Sequence, residues 1–348
     1  MSTRMKEETL QISQIVAEQL TLHQGMLDPI VHAIQNKKPK HVMTVGRGSS
    51  DHATSFAKYL FETELGWVTA SSAPSIVSVY ESKLQLQDAL VIAVSQSGQS
   101  ADICTVLRSA RQQGALTLAI VNNTDSPLAD AAELVLPIYA GEELSVAATK
   151  SFIATLTALI HLVSRLADNK QLTTQLFLLP EVLAKAAQLS WSSCAKSLSN
   201  KEIGLVLGRG FGFPIALEAA LKFKETCQMH VEAFSSAEVL HGPFAIVDDE
   251  LPLLIFAQAD ATLEGVTLLL AKVNQQNCQT FLAIAGDKLS SALESQASMV
   301  LPLPESIHPV CDPIVALQAF YLMAEECALL KGFNPDKPDN LNKVTNTV

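Results

Sequence analysis

A pattern that occurs twice limits this chain more than any other feature. His41-Val42-Met43-Thr44-Val45-Gly46-Arg47-Gly48 returns as Ile203-Gly204-Leu205-Val206-Leu207-Gly208-Arg209-Gly210. In both places a short apolar segment ends in Gly-Arg-Gly and leads into a helix-forming stretch. Gln112–Ile120 and Gln275–Ile284 also correspond, at the same offset of about 162 residues. That period is far longer than a solenoid repeat, so it implies two similar domains. A length of 348 residues implies the same.

Within each copy, apolar runs of strand length alternate with helical patterns. Strands are expected at 41–45, 67–70, 89–94, 116–120 and 133–136, with helices at 51–64, 74–80 and 100–113. The second copy gives strands at 203–207, 251–256, 279–284 and 298–301, a segment near 231–234, and helices at 214–229, 236–240 and 261–275. This alternation predicts an α/β fold of two tandem domains, each a mostly parallel five-stranded sheet flanked by helices in three layers, as in flavodoxin. Residues 1–35 read as a helical lead-in, 36–165 as the first domain, 166–196 as a helical connector and 197–330 as the second domain. The tail, 331–348, is rich in Pro and Asn and is expected to be an extended, ordered segment or a loose end.

Hydrophobic residues make up 48% of the chain and the mean hydropathy is +0.25. Both values suit buried parallel strands and argue against long disorder. A net charge of −11 disfavours non-specific nucleic-acid binding, which needs a basic surface. Apolar runs such as Ile203–Leu207 and Leu251–Ala257 are too short to cross a bilayer, and Met1–Glu8 is polar rather than a secretory leader. Cys104, Cys194, Cys227, Cys278, Cys311 and Cys327 are scattered without a Cys-x-x-Cys pair, so reduced core thiols are expected and a metal centre is not. A cytoplasmic protein without nucleic-acid or membrane partners is expected.

Hydroxyl side chains gather at the ends of these segments. Ser95-Gln96-Ser97-Gly98-Gln99-Ser100 lies between the apolar run Ala89–Val94 and a helical pattern. The unpaired N–H groups and dipole of a helix start favour an anion, and hydroxyls bind phosphate without adding charge. An ordinary Ser-rich helix cap is the alternative. Ser49-Ser50 and Thr149-Lys150-Ser151 form two more clusters. Ligands of open sheets bind beyond the carboxyl ends of the strands, so the three are expected to converge. Phe211-Gly212-Phe213 and Gln258-Ala259-Asp260 replace the first two clusters in the second copy, which leaves one copy to bind and the other to support. Arg47 and Arg209 suit either a salt bridge or a ligand contact.

Several other chemistries are excluded by spacing. Gly46-Arg47-Gly48-Ser49-Ser50-Asp51 lacks the third glycine of a dinucleotide fingerprint, and no Gly-Lys-Ser/Thr closes a P-loop. No Gly-x-Ser-x-Gly elbow and no metal-spaced set of His or carboxylates occurs.

Ionisable side chains concentrate in the second copy. Glu218, Lys222 and Glu225 share one helical face, with Lys224, His230 and Glu232 close by. A desolvated carboxylate there would shuttle protons near neutral pH, whereas the plain alternative is a surface salt-bridge ladder, the reading preferred for Lys222 and Lys224. His241, in Glu238-Val239-Leu240-His241-Gly242-Pro243, sits in a rigid turn as an acid, a base or a cap.

Four segments carry a family resemblance: Ser95–Asp102, Ala216–Glu225, Glu238–Pro243 and Asn340–Thr345. Through them nearly the whole chain resembles the double sugar-isomerase (SIS) domain proteins, especially the isomerase half of glucosamine-6-phosphate synthase. The resemblance implies a phosphate site from Ser50, Ser95, Gln96, Ser97 and Ser100, with Gly48 and Ser49 beside the sugar and Ala148 and Thr149 in the sugar site. It implies Glu225 as the proton-transferring carboxylate, Lys343 as a tail lysine closing over the sugar, and Glu238 as an orienting neighbour. His241 would assist ring opening in the active site of the adjoining subunit of a homodimer. Two positions depart from the synthase pattern: Ala148 replaces a serine that contacts the sugar, and Asp339 replaces an arginine in the tail.

No Cys-initiated glutamine-hydrolysing domain precedes Met1–Gln35, so a built-in ammonia source is not expected. A free-standing double unit is similar to bacterial SIS-type glucosamine-6-phosphate deaminases. That implies conversion of a phosphorylated amino sugar, glucosamine 6-phosphate, to fructose 6-phosphate and ammonia with no cofactor and no metal. A fructosamine-6-phosphate deglycase, a galactosamine-6-phosphate deaminase/isomerase and a non-catalytic phosphosugar sensor stay open as alternatives.

Overall fold

The computed structural model describes residues 2–343, so Val344 and Thr345 of the tail motif lie outside the described residues. Three helices come first: α1 (Arg4–Leu10), α2 (Ile12–His23) and α3 (Leu27–Lys37). Next are β1 (His41–Val45), α4 (Ser49–Leu65), β2 (Thr69–Ser71), α5 (Ser75–Ser78), β3 (Ala89–Ser95), α6 (Ala101–Gln112), β4 (Leu116–Val121), α7 (Pro127–Ala131) and β5 (Leu134–Pro137). Four helices follow, α8 (Lys150–Leu166), α9 (Lys170–Leu176), α10 (Leu179–Ala186) and α11 (Ser192–Leu198). The remainder is β6 (Ile203–Gly208), α12 (Gly212–Cys227), β7 (His230–Ser235), β8 (Leu253–Phe256), α13 (Leu263–Val273), β9 (Thr280–Ala285), α14 (Ser291–Glu294), β10 (Met299–Leu303) and α15 (Asp312–Leu330).

These elements form two units that interleave along the sequence. The first comprises residues 14–143, 150–177 and 342–343, and the second comprises 2–13, 144–149 and 178–341. Each contains one sheet, ordered β2-β1-β3-β4-β5 and β7-β6-β8-β9-β10. All strand pairs are parallel. Parallel neighbours need crossover connections, which the helices supply. In both sheets the strand order reverses beside the first strand, and ligands of open α/β sheets bind at such a point. Val45 pairs with Ala93, so the chain leaves β1 and β3 side by side at that point of the first unit.

Burial explains the apolar runs. Every residue of β3, β8 and β9 is buried, as sheets covered by helices on both faces require. The long helices α8 and α15 are buried on nearly all sides. Lys150 and Asp312, which open them, stand 162 positions apart, so the repeat runs through to the last helix. α15 is absent from the sequence expectation because a helix apolar all round shows no amphipathic period. Its length and composition would suit a membrane span, yet 78% of the apolar stretch is buried inside the fold.

Other differences are local. The short α7 went unexpected; Ser126 caps it and Pro127 starts it. The helix expected at 236–240 is a 3₁₀ turn, Glu238–His241, followed by Gly242 at φ +141. The described part of the tail is tied down rather than loose: the Asp336 carboxylate accepts the N–H groups of Arg4 and Met5 at 3.0 and 2.8 Å, capping the positive end of α1.

Candidate active site

In the first unit β3 ends at Ser95, and the chain turns through Gln96–Ser100 into α6. Ser95 Oγ accepts the Gly98 N–H at 3.1 Å, which leaves its own proton free to be donated. Gly98 has φ +67, and a Cβ on it would lie 2.2 Å from Ser126 Oγ, so conformation and space both demand glycine. Ser97 Oγ accepts from Gln99 N at 3.3 Å. Ser100 is the N-cap residue of α6, but its side chain makes no capping bond. The plain helix-cap alternative therefore does not account for this hydroxyl.

A second loop leaves β1 beside the first. A side chain at Gly46 would lie 2.8 Å from Asp51 N, so this tight turn also needs glycine. Gly48 is the N-cap of α4, and Ser49 and Ser50 occupy its first turn, half-buried. Arg47 links the two loops: its Nε and Nη2 donate to Asp102 Oδ2 at 3.0 and 2.7 Å. The Asp102 side chain is fully buried, and its Oδ1 accepts from Ile103 N at 2.8 Å. Of the two roles open for Arg47, the salt bridge is observed. The structure thus brings Ser49, Ser50, Ser95, Gln96, Ser97 and Ser100 to one edge of the first unit.

The third hydroxyl cluster is anchored by a residue the sequence did not single out. Ser151 Oγ donates to Glu143 Oε2 at 2.6 Å, and the Lys343 ammonium lies 3.1 Å from the same oxygen. Thr149 is buried and Ala148 half-buried; both belong to the second unit. There the buried Glu8 carboxylate accepts from Leu144 N and Ser145 N and so fixes the start of the 144–149 segment.

The equivalent turn after β8 is filled by its own side chains. Asp260 accepts from Gln258 Nε2 at 2.7 Å and from Thr262 N at 2.8 Å, and Asp312 accepts from Ala259 N at 3.0 Å. Burial pushes the Asp312 carboxyl up to about 6. Carboxylates hold the place where a helix start would otherwise attract an anion.

α12 corrects the surface-ladder reading of Lys222. Lys222 and Glu218 are fully buried, and the Lys222 ammonium lies between Glu218 Oε1, at 3.4 Å, and Glu225 Oε2, which is in direct contact. Burial alone would lower the lysine's proton affinity, but the two carboxylates outweigh it and leave the ammonium firmly protonated. The sequence held a signal for this. Apart from these three residues, most of the helix from Pro214 to Cys227 is apolar or small, and no broad polar face is left for a ladder. Lys224 is exposed, as a surface residue should be.

Glu225 keeps 19% of its side chain exposed, at the wall of a groove of about 560 Å³. Leu221, Lys224, Gln228, Met229, His230 and the tail residues Asp339, Asn340 and Leu341 complete that wall. Glu238 and His241 do not line the groove. They sit three residues apart on the 3₁₀ turn, on one face and both exposed.

Comparison with known proteins finds the SIS domain twice, at residues 36–165 and 197–326. A glutamine–fructose-6-phosphate aminotransferase (isomerizing) from Bartonella quintana (strain Toulouse) is 32% identical over 99% of this chain. The chain spans 58% of that relative's length. Among solved structures, a provisionally named phosphosugar isomerase from Silicibacter pomeroyi DSS-3 is 37% identical with a TM-score of 0.88, covering 96% of this chain and 100% of that one. The C-terminal domain of glucosamine-fructose-6-phosphate aminotransferase from Francisella tularensis is 26% identical with a TM-score of 0.87, covering 97% and 99%. A glucosamine-6-phosphate deaminase from Thermotoga maritima shares the fold at 19% identity and a TM-score of 0.76, covering 99% and 100%.

Proposed function

Because this chain belongs to the SIS domain family, we propose that it is a glucosamine-6-phosphate deaminase, converting glucosamine 6-phosphate and water to fructose 6-phosphate and ammonia. One observation carries the reading: a buried ammonium, Lys222, grips the partly exposed Glu225 carboxylate at the wall of a groove. A carboxylate fixed in this way suits proton transfer at carbon. In the first unit, Ser95, Gln96, Ser97 and Ser100 at the start of α6 and Ser50 in the first turn of α4 make the phosphate site, since helix starts favour an anion. Gly48 and Ser49 take the neighbouring sugar-site loop, Ala148 and Thr149 belong to the sugar site, and Glu238 orients the segment that carries His241.

The chemistry follows from the substrate. His241 moves the O1 proton to the ring oxygen, and the pyranose opens to an aldehyde. Glu225 takes the C2 proton, the electron pair forms the C1–C2 double bond, and O1 takes a proton from solvent, giving an enolamine; solvent regains that proton when water later adds to the protonated imine. Glu225 returns its proton to C1 while the nitrogen lone pair forms a C2–N double bond. Water then adds to C2, ammonia leaves, and the ketose remains. Lys343 closes over the sugar. We place His241 in the site of a second copy in a homodimer; its exposure, with Ile246 also 58% exposed nearby, supports that arrangement.

The name of the curated relatives favours one other reading, formation of the amino sugar from fructose 6-phosphate with nitrogen supplied from elsewhere. A substrate panel separates the readings: glucosamine 6-phosphate, galactosamine 6-phosphate, a fructosamine 6-phosphate, and fructose 6-phosphate with ammonia or glutamine. Turnover of glucosamine 6-phosphate with release of ammonia supports the deaminase. Turnover of an amino-acid adduct alone assigns a deglycase, and turnover of the galacto epimer alone assigns its deaminase/isomerase. Synthesis dependent on glutamine assigns the aminotransferase.

A further inference from the structure

Residues 144–149 carry Ala148 and Thr149 of the proposed sugar site, yet they form neither helix nor strand. With no ladder of its own, such a segment takes acceptors for its N–H groups from elsewhere. Three in a row are met from outside, all within the second unit. Glu8, on α1 and only 5% exposed, accepts the Leu144 N–H at Oε1, and its two oxygens share the Ser145 N–H at 3.4 and 3.2 Å. The next N–H, of Val146, goes to the Asp336 carbonyl of the tail at 3.3 Å. α1 is itself held firmly. The Asp336 carboxylate caps its start, Thr3 Oγ1 donates to Glu325 Oε1 at 2.8 Å, and Gln318 Nε2 donates to the Thr9 carbonyl at 3.0 Å. Glu325 and Gln318 both stand on α15, so the carboxylate of Glu8 is presented from a helix fixed to the core of the unit.

We propose that Glu8 is a positioning residue for the sugar: it sets the backbone of 144–149, and through it Ala148 and Thr149, in the shape that receives the substrate. This rests on reading Ala148 and Thr149 as part of the sugar site. Alanine at 148 offers a sugar only its backbone N–H and C=O, so any polar contact there depends on where the main chain lies. A carboxylate suits the task because both of its oxygens accept, whereas an amide would turn a donor towards one of the two N–H groups. Displacements of about 1 Å, far from the reacting atoms, are enough to cost about 10²-fold in rate.

The test compares Glu8→Ala, which removes both acceptors, with Glu8→Gln, which keeps one. Glu8→Ala is expected to lower kcat/KM for glucosamine 6-phosphate by about ten- to hundredfold, with KM rising at least about tenfold as the sugar contacts loosen. Glu8→Gln should fall between it and wild type. The affinity for inorganic phosphate, read by calorimetry, should stay within about twofold in both variants, because the phosphate hydroxyls belong to the first unit. An unchanged kcat/KM would overturn the proposal, as would a loss of phosphate affinity equal to the loss for the sugar phosphate, which marks general damage to the fold. If Glu8→Ala does not fold, Glu8→Gln carries the same test. Hydrogen exchange of the peptide covering 144–149 in the intact protein separates this inference from the enzyme assignment. Exchange there should quicken in Glu8→Ala whatever reaction is catalysed, and unchanged exchange overturns the hold of Glu8 on the segment. If wild type binds glucosamine 6-phosphate without turning it over, the deaminase assignment fails, and a tenfold loss of that affinity in Glu8→Ala upholds the positioning role. If wild type binds inorganic phosphate but no amino-sugar phosphate, the sugar-site reading fails and the role of Glu8 falls with it.

Discussion

The Lys343 ammonium lies 3.1 Å from Glu143 Oε2, and the Glu143 side chain is completely buried. The tail lysine is thus the counter-charge of a buried carboxylate that also receives the Ser151 hydroxyl. Lys343→Met removes this ion pair and is expected to lower stability by about 1–3 kcal/mol in urea unfolding. Adding Glu143→Gln should recover most of the stability but not the turnover, if Lys343 also closes over substrate. A double variant with wild-type turnover would leave Lys343 a structural role only.

The turn at Gly98 provides a test of the phosphate loop. Gly98→Ala meets Ser126 Oγ at 2.2 Å and places an alanine at φ +67. It is expected to destabilise the first unit by more than about 1 kcal/mol and to abolish binding of the phosphosugar in calorimetry. Ser97→Ala should fold normally and raise KM about tenfold, the loss of one good hydrogen bond to a charged group.

Two buried groups set opposing slopes in stability against pH. Burial, His23 and Arg165 hold the His161 imidazole down to about 4, below its ordinary 6.5. The unfolded chain therefore binds that proton first, and stability falls as pH drops from 6.5 towards 4. Asp312 behaves oppositely: burial raises its carboxyl from 3.8 to about 6, so the folded chain binds the proton first and stability is lost as pH rises through that window. His161→Phe should remove the first slope and raise stability at pH 5 relative to pH 7 by about 2 kcal/mol compared with wild type. Asp312→Asn should instead steepen the wild-type loss towards low pH. Both are read from urea midpoints at a series of pH values.

The proposed sharing of a site between two copies is tested by mixing subunits. Inactive Glu225→Gln and inactive His241→Asn protomers should regain activity when mixed, because a hybrid dimer contains one site with both native groups. Free exchange gives about a quarter of wild-type activity under closed two-fold symmetry. Tagged subunits establish that exchange has occurred. Hybrids that form and stay inactive would place His241 in its own chain's site.

How much of this was legible in the sequence depends on what a side chain faces. The strands and the Ser95–Ser100 turn were legible because apolar runs and turn residues are local signals. The repeat was legible in its Gly-Arg-Gly turns but not in α15, whose all-round burial erases any period. Lys222 misled because helical spacing says which residues share a face and not whether that face meets solvent. Glu8 and Glu143 were missed for a related reason: their partners, Leu144 and Ser145 for one and Lys343 for the other, lie 136, 137 and 200 positions away. No local pattern marks such contacts.

The most direct measurement is the product balance from glucosamine 6-phosphate alone, following ammonia and fructose 6-phosphate in the same time course for wild type and Glu225→Gln. The account expects equal amounts of both products from wild type. It expects a fall of roughly 10²–10⁴-fold in the variant, as for loss of a general acid–base group, with substrate affinity nearly unchanged. Ketose without ammonia, ammonia without ketose, or a Glu225→Gln variant that keeps the wild-type rate would contradict it.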